Sequence, residues 1–127
     1  MKLRVLIADD NQKALLTLVA ALSQEFNVIA TAANGRSALE QICRLQPSVA
    51  VLDLNMPGLN GIEVTREITR QRLSCAVVIC SIAKAPELIE AALAAGALGY
   101  VFKRKLLQDL SIAVNRAARG ESFISKP

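Results

Sequence analysis

The sequence predicts an α/β fold in which a parallel sheet lies between two layers of helices. Five short apolar runs alternate along the 127 residues with five longer segments of helical periodicity. Three of the apolar runs are continuous rather than alternating, as is typical of parallel strands that are buried on both faces. The connections are short, which favours right-handed crossovers and a single doubly wound domain.

The strands are predicted from the apolar runs and cover residues 3–9, 27–33, 48–54, 75–81 and 99–103. The first, third and fourth contain the segments VLIA, VAVL and AVVI. Five β/α units are too few for a closed barrel, so they favour the open sheet order 2-1-3-4-5. The predicted fold is therefore a flavodoxin-like (βα)5 sandwich.

The helices are predicted to cover residues 11–24, 35–45, 61–71, 86–95 and 106–119. One face of the first helix carries an apolar stripe formed by Leu15, Leu18, Val19 and Leu22. The second helix follows an Asn-Gly pair, and the third begins after a Pro-Gly pair. The fourth begins at Pro86, a favoured first position, and Gly96 ends it. The last residues, 122–127, lose periodicity and resemble the beginning of a linker.

The composition excludes several classes of function. The chain has no histidine, which rules out imidazole bases, His-ligated zinc and phosphohistidine chemistry on this chain. Aromatic residues make up only 3%, so a stacking surface for single-stranded nucleic acid is not expected. The net charge of +4 comes mostly from scattered residues. Its tightest basic cluster, Lys103-Arg104-Lys105, is too short to indicate nucleic-acid binding.

The cysteines and the apolar runs indicate where the protein is located. Cys43, Cys75 and Cys80 form no CxxC motif, and we expect buried thiols rather than disulfides or a metal site. No apolar run reaches the roughly 18 residues of a membrane span, and none near the N-terminus is long enough for a signal-peptide core. We therefore expect a cytoplasmic protein without a membrane partner.

Acidic, amide, hydroxyl and lysine side chains are predicted to meet at one edge of the sheet. They stand at the carboxyl ends of the first, third, fourth and fifth strands: Asp9, Asp10, Asp53, Asn55, Ser81 and Lys103. These four strands are successive neighbours in the predicted order, and ligands of open α/β sheets bind outside their carboxyl ends. Each residue alone has an ordinary structural explanation, such as helix capping by Asp10. Together they favour a functional site.

The chemistry of this set favours phosphoryl transfer to an aspartate. Three clustered carboxylates repel one another unless a hard cation lies among them, and Mg²⁺ binds carboxylates while leaving room for a phosphoryl oxygen. Lys103 can neutralise charge on the phosphoryl group, and the Ser81 hydroxyl can donate to another of its oxygens. Asp53 is the best candidate nucleophile, because it ends the central strand and a turn follows it.

At these residues the chain resembles the receiver domain of a bacterial two-component response regulator, over essentially its whole length. The resemblance implies that Asp9 and Asp10 hold Mg²⁺ and that Asp53, in the segment DLNMPG, accepts a phosphoryl group from a sensor histidine kinase. It also implies that the main-chain carbonyl of Asn55 binds the metal, with Asp9 acting mainly through a bound water.

The same resemblance assigns a switch and shows two departures from the family pattern. Ser81 and Tyr100 stand at the switch positions, and Lys103 stands at the position of the lysine that holds the phosphoryl group. Phosphorylation is expected to draw Ser81 toward the phosphoryl group, after which Tyr100 turns inward. The first departure is Arg104, where many receivers have proline; the second is Ile82, where the family often has alanine or glycine.

The C-terminal stretch resembles a narrower class of receivers. The segments AGALGY and GESFIS, at 95–100 and 120–125, are similar to the NarL/FixJ class, in which a linker leads to a LuxR-type helix-turn-helix DNA-binding domain. This implies a receiver domain at 1–120, the start of a linker at 121–127, and DNA contact only through a domain absent from this chain. A homodimer is left open. The alternatives are a stand-alone single-domain regulator and a phosphate-independent receiver-like interaction module.

Two other classes fit the residues less well. A flavodoxin needs small or hydroxyl residues that cradle a phosphate after the first strand, whereas Asp9 and Asp10 would repel it. An aspartate-nucleophile phosphatase needs an acid two residues after Asp53, where Asn55 stands. We therefore expect no enzyme in the usual sense, but a chain that catalyses only its own phosphorylation and dephosphorylation.

Overall fold

The computed structural model describes residues 2–127 and confirms the α/β sandwich. The strands are β1 Arg4–Ala8, β2 Asn27–Ala32, β3 Val49–Leu52, β4 Ala76–Ser81, β5 Gly99–Phe102 and β6 Phe123–Ile124. The helices are α1 Gln12–Leu22, α2 Gly35–Leu45, α3 Gly61–Arg70, α4 Pro86–Ala95 and α5 Leu106–Ala118. A 3-10 turn, Lys103–Lys105, joins β5 to α5. All five predicted helices are present at close to their predicted positions.

The sheet is parallel and has the order β2-β1-β3-β4-β5-β6. The predicted order 2-1-3-4-5 is confirmed, but the prediction of five strands was wrong because β6 adds to the edge beside β5. In this strand Phe123 pairs with Gly99 and Ile124 pairs with Tyr100. A strand of two residues is too short to show periodicity, so residues that resemble a linker in the sequence belong in part to the sheet.

The continuous apolar runs arise because both faces of the central strands are covered. On β3, Ala50 and Leu52 pack with the apolar side chains of α2, α3 and α4. Val49 and Val51 on the same strand pack with those of α1 and α5. All four residues are fully buried, so polar side chains can be placed only where the strand ends, which is where the predicted site lies.

Three helices begin at asparagine caps, and the cap of α1 leaves the carboxylate of Asp10 uninvolved in capping. Asn11, Asn34 and Asn60 each accept a main-chain N–H with the side chain, and Asn60 forms a capping box with Glu63. The suggestion that Asp10 caps the first helix was wrong, because Asn11 accepts the N–H of the first turn at 2.9 Å. The carboxylate of Asp10 is exposed instead.

The prediction that the three thiols are buried is confirmed only in part. Cys80 is fully buried and Cys75 is partly buried, and they pack on opposite faces of the sheet. The expectation of a buried thiol was wrong for Cys43, which is exposed on α2. It follows the inward-facing Ile42 by one position, and one residue turns a helix side chain by about 100°. Across residues 2–127 no helix is long and apolar enough to cross a membrane.

Candidate functional site

The main chain of neighbouring strands holds two buried carboxylates at the carboxyl edge of the sheet. The N–H of Asp9 donates to the carbonyl of Ala32 at 3.0 Å, and the N–H of Asp53 donates to the carbonyl of Ala8 at 2.9 Å. Both acids therefore extend the sheet hydrogen bonding by one residue beyond the strands. Their side chains are almost fully buried, with Asp9 at 0% and Asp53 at 9% exposure.

The structure brings the three predicted acids into one cluster. Asp9, Asp10 and Asp53 each offer a carboxylate oxygen, and these oxygens lie within 4.8 Å of one another. Asp10 is exposed and the other two are buried, so the cluster opens to solvent on the side of Asp10. Asn55 lies two residues beyond Asp53 and is exposed in the loop between β3 and α3.

Lys103 contacts two of these three acids. Its Nζ lies 2.7 Å from Oδ2 of Asp9 and donates a hydrogen bond to Oδ2 of Asp53 at 3.4 Å. The residue starts the 3-10 turn and is not the last residue of the strand as predicted, because β5 ends at Phe102. Its side chain reaches back over the sheet edge and is 18% exposed.

The single ammonium does not balance the three carboxylates. Burial and the charge of Asp9 raise the pKa of Asp53, although Lys103 acts in the opposite direction. Burial alone would lower the pKa of Lys103, but its contacts with Asp9 and Asp53 raise it above the ordinary value. The lysine therefore stays charged, while the ionised form of Asp53 is disfavoured.

The donor set fits a hard divalent cation. Oδ2 of Asp9 is buried, and its close polar contact within residues 2–127 is the ion pair with Nζ of Lys103 at 2.7 Å, which leaves one of its two lone pairs unused. An oxygen in this position has unused acceptor capacity. Carboxylate oxygens are the ligands of Mg²⁺, which uses one or two of them and keeps several waters. The residues present therefore suit Mg²⁺ in charge and in chemistry.

The loop after Asp53 is held closely against the sheet by the glycine that stands at the predicted start of the third helix. The N–H of Gly61 donates to the carbonyl of Leu54 at 2.9 Å. A Cβ on Gly61 would lie 2.3 Å from the carbonyl oxygen of Asp53. The close approach requires glycine for space, and it fixes the loop that carries Asn55.

The two predicted switch residues both contact the main chain of a third residue, Ala83, which no sequence motif indicated. Ser81 is fully buried, and its Oγ accepts the N–H of Ala83 at 3.1 Å. Tyr100 is also fully buried, and its hydroxyl donates to the carbonyl of Ala83 at 2.8 Å. The ring occupies the inward position. Ile82, between Ser81 and Ala83, is 74% exposed.

Residues 5–115 match the response regulator receiver domain family. The chain belongs to this family. This receiver domain is 32% identical to the nitrate/nitrite response regulator protein NarL of Escherichia coli K12 over 124 residues, which are 96% of this chain and 57% of that protein. It is 31% identical to the transcriptional regulatory protein DegU of Brevibacillus brevis, over 97% of this chain and 53% of that protein.

Solved structures place this receiver domain in the same class. It matches the receiver domain of the response regulator NarL from Mycobacterium tuberculosis with a TM-score of 0.91 and 34% identity, covering 94% of this chain and 98% of that one. A LuxR-family response regulator from Aurantimonas matches with a TM-score of 0.92 and 26% identity, over 98% and 91% of the two chains. The resemblance to NarL and LuxR-type receivers is thus confirmed, and the chain spans about half the length of the curated relatives it matches.

Proposed function

We propose that Asp53 accepts a phosphoryl group from a phosphohistidine of a sensor histidine kinase and that Mg²⁺ is required. The observation that carries this proposal is the placement of Asp53 among two further carboxylates and Lys103 at the open edge of the sheet. Membership of the receiver family supports it independently. The chain would act on itself rather than turn over a substrate, inside the cytoplasm where such kinases present their phosphohistidine.

Each residue has a definite part in the transfer. An Oδ of Asp53 attacks the phosphorus, so that an O–P bond forms while the P–N bond to the kinase imidazole breaks. Lys103 holds the ionised carboxylate in place and afterwards binds a phosphoryl oxygen. Asp9, Asp10, Asp53 and the carbonyl of Asn55 would hold Mg²⁺. The metal supplies charge neutralisation on the phosphoryl oxygens.

The switch would act through Ser81, Ala83 and Tyr100. The hydroxyl of Ser81 donates a hydrogen bond to a phosphoryl oxygen, and it must then give up the position from which it accepts the Ala83 N–H. The hydroxyl of Tyr100 donates to the carbonyl of the same residue, Ala83, so movement of this loop would also alter the contact of the ring. The result is a population shift between two arrangements of this loop, which is read out as dimerisation or as the output of a transcriptional regulator.

The test is the intact mass of the chain after incubation with Mg²⁺ and acetyl phosphate. We expect one added phosphoryl group on the wild type. We expect none with Asp53→Asn or with excess chelator, and slower addition with Asp10→Asn because one metal ligand is lost. If the wild type gains no mass and also fails to bind beryllofluoride, the proposal is wrong and the chain is a phosphate-independent interaction module.

A further inference from the structure

The segment after α5 returns to the sheet and docks beside β5. We call residues 122–125 the C-terminal strap. The N–H of Phe123 donates to the carbonyl of Leu98 at 3.0 Å, and the N–H of Ser125 donates to the carbonyl of Tyr100 at 2.9 Å. The guanidinium of Arg116 on α5 lies 5.7 Å from the centre of the Phe123 ring. The strap is thus fixed both to the strand and to the helix.

The hydroxyl of Ser125 is the polar centre of this contact. The residue is only 3% exposed. Its Oγ accepts the N–H of Phe102 at 3.1 Å and donates to Oδ2 of Asp109 at 2.7 Å. One hydroxyl therefore joins the last residue of β5 to the first turn of α5.

This hydrogen bond lies directly beside a site residue. Phe102 precedes Lys103, whose Nζ contacts the carboxylates of Asp9 and Asp53. The chain leaves the sheet at this point and begins the 3-10 turn. The residue that follows Lys103 is Arg104, which has no ring to restrict its φ, so its side chain does not stiffen the chain after the lysine. The strap supplies a constraint on the other side of Lys103.

We propose that the C-terminal strap positions Lys103 through the hydroxyl of Ser125, so that docking of the strap and occupancy of the carboxylate site are coupled. The inference deepens the proposed function, because it regulates that same site. Coupling between two binding events is reciprocal. A partner that pulls the strap away would thereby alter the site, and a ligand at the site would alter how firmly the strap is docked.

The coupling predicts two effects of opposite direction when the strap is loosened. The ammonium of Lys103 and a divalent cation compete for the carboxylates of Asp9 and Asp53. A less firmly held lysine competes less, so Mg²⁺ should bind more tightly. The same lysine has to hold a phosphoryl oxygen during transfer, so phosphoryl acceptance should become slower. General destabilisation of the domain would weaken both.

The experiment compares Ser125→Ala with Ser122→Ala, a matched control at the exposed serine of the same strap. Amide hydrogen exchange at Phe123 and Ser125 measures docking of the strap. An NMR titration with Mg²⁺ alone measures the metal dissociation constant. The rate of mass gain with acetyl phosphate at saturating Mg²⁺ measures acceptance. Asp109→Ala, which removes the acceptor of the Ser125 hydroxyl from outside the strap, serves as a second variant.

For Ser125→Ala we expect the rate of exchange at both amides to rise about fivefold, which corresponds to the net free-energy contribution of one hydrogen bond. Mg²⁺ should bind about two- to threefold more tightly, and acceptance should be about fivefold slower. Asp109→Ala should change all three in the same directions, and Ser122→Ala should match the wild type. Unchanged exchange overturns the proposal, and so does faster exchange with an unaltered Mg²⁺ affinity. If the wild type accepts no phosphoryl group, the proposed function fails, while exchange and Mg²⁺ affinity still decide the coupling.

Discussion

At the scale of single residues, the site carries an excess of negative charge held in place by main-chain hydrogen bonds. Asp9 and Asp53 cannot move apart, because their N–H groups extend the hydrogen bonding of the sheet. Lys103 is the cation that contacts both of them in the described structure. The repulsion that remains is available to drive the binding of a cation or the loss of a carboxylate charge.

Removal of the lysine should expose this repulsion. Lys103→Ala is expected to lower the free energy of unfolding by about 2 kcal/mol at neutral pH without Mg²⁺, since the buried carboxylate of Asp9 loses its counter-charge. Urea unfolding measures the loss. Added Mg²⁺ should stabilise this variant more than the wild type, because no ammonium competes for the carboxylates. Arg104→Ala, an exposed neighbour, is the control, and an equal loss there would contradict the explanation.

The raised pKa of Asp53 predicts a pH dependence. The folded chain holds this proton more tightly than the unfolded chain, whose pKa is near the ordinary 3.8. Ionisation of Asp53 therefore destabilises the fold, and its contribution to stability falls as pH rises from 3.8 through the raised value. Without Mg²⁺, Asp53→Asn should gain stability over the wild type across that range and match it at lower pH.

The measurement for this prediction is the thermal midpoint as a function of pH in chelator. Glu90→Gln, at an exposed acid of α4, should show no such gain. A wild type and an Asp53→Asn variant with parallel curves would show that Asp53 ionises in the fold without cost.

At the scale of elements, the site depends on how the loop between β3 and α3 closes. The Asn60 cap begins α3, and Gly61 lets the helix start against the carbonyl of Asp53. The helix end therefore fixes the loop that carries Asn55. A change in this closure should alter the site without touching a carboxylate.

Gly61→Ala tests this dependence. The new Cβ would lie 2.3 Å from the main-chain oxygen of Asp53, directly after β3, so the loop has to shift. We expect a loss of about 3 kcal/mol in the free energy of unfolding and weaker Mg²⁺ binding. Gly120→Ala is the matched control. A Cβ at Gly120 would meet no atom within 4 Å, but the φ of +78° should cost about 1 kcal/mol and leave Mg²⁺ binding unchanged.

At the scale of the whole molecule, two apolar layers cover the sheet. Two of the three thiols pack in these layers, and the third lies on the surface. Cys80 lies in the layer beneath α1 and α5, and Cys75 packs against the opposite layer. Burial raises the pKa of each of these thiols to about 12. Cys43 is exposed on the surface of α2.

Thiol labelling should follow this division. At neutral pH a disulfide reagent such as DTNB should react rapidly with one thiol per native chain and with all three in denaturant, because only the thiolate reacts. Cys43→Ser should abolish the fast reaction. Rapid labelling of a second cysteine in the native protein would show that one of the two layers opens.

Much of the fold and of the site was predictable, because both follow from local patterns. Apolar periodicity predicted the five helices and the first five strands, and the strand-end rule predicted that Asp9, Asp53 and Lys103 would converge. The exposure of Cys43 and the capping by Asn11 were missed, since neighbouring positions on a helix differ by a rotation that sequence windows locate only approximately. The functional roles of the site residues stay predictions.

The sequence by itself determined the class of fold, the order of the main strands and the meeting of the acids with the lysine. These depend on which residues avoid water and on which end of a parallel strand a polar residue stands. Only the tertiary structure decided the sixth strand, the close approach of Gly61 to Asp53, and the contact of Ser125 with Phe102 and Asp109. These arise from contacts between segments distant in the chain, whose free energy no local pattern records.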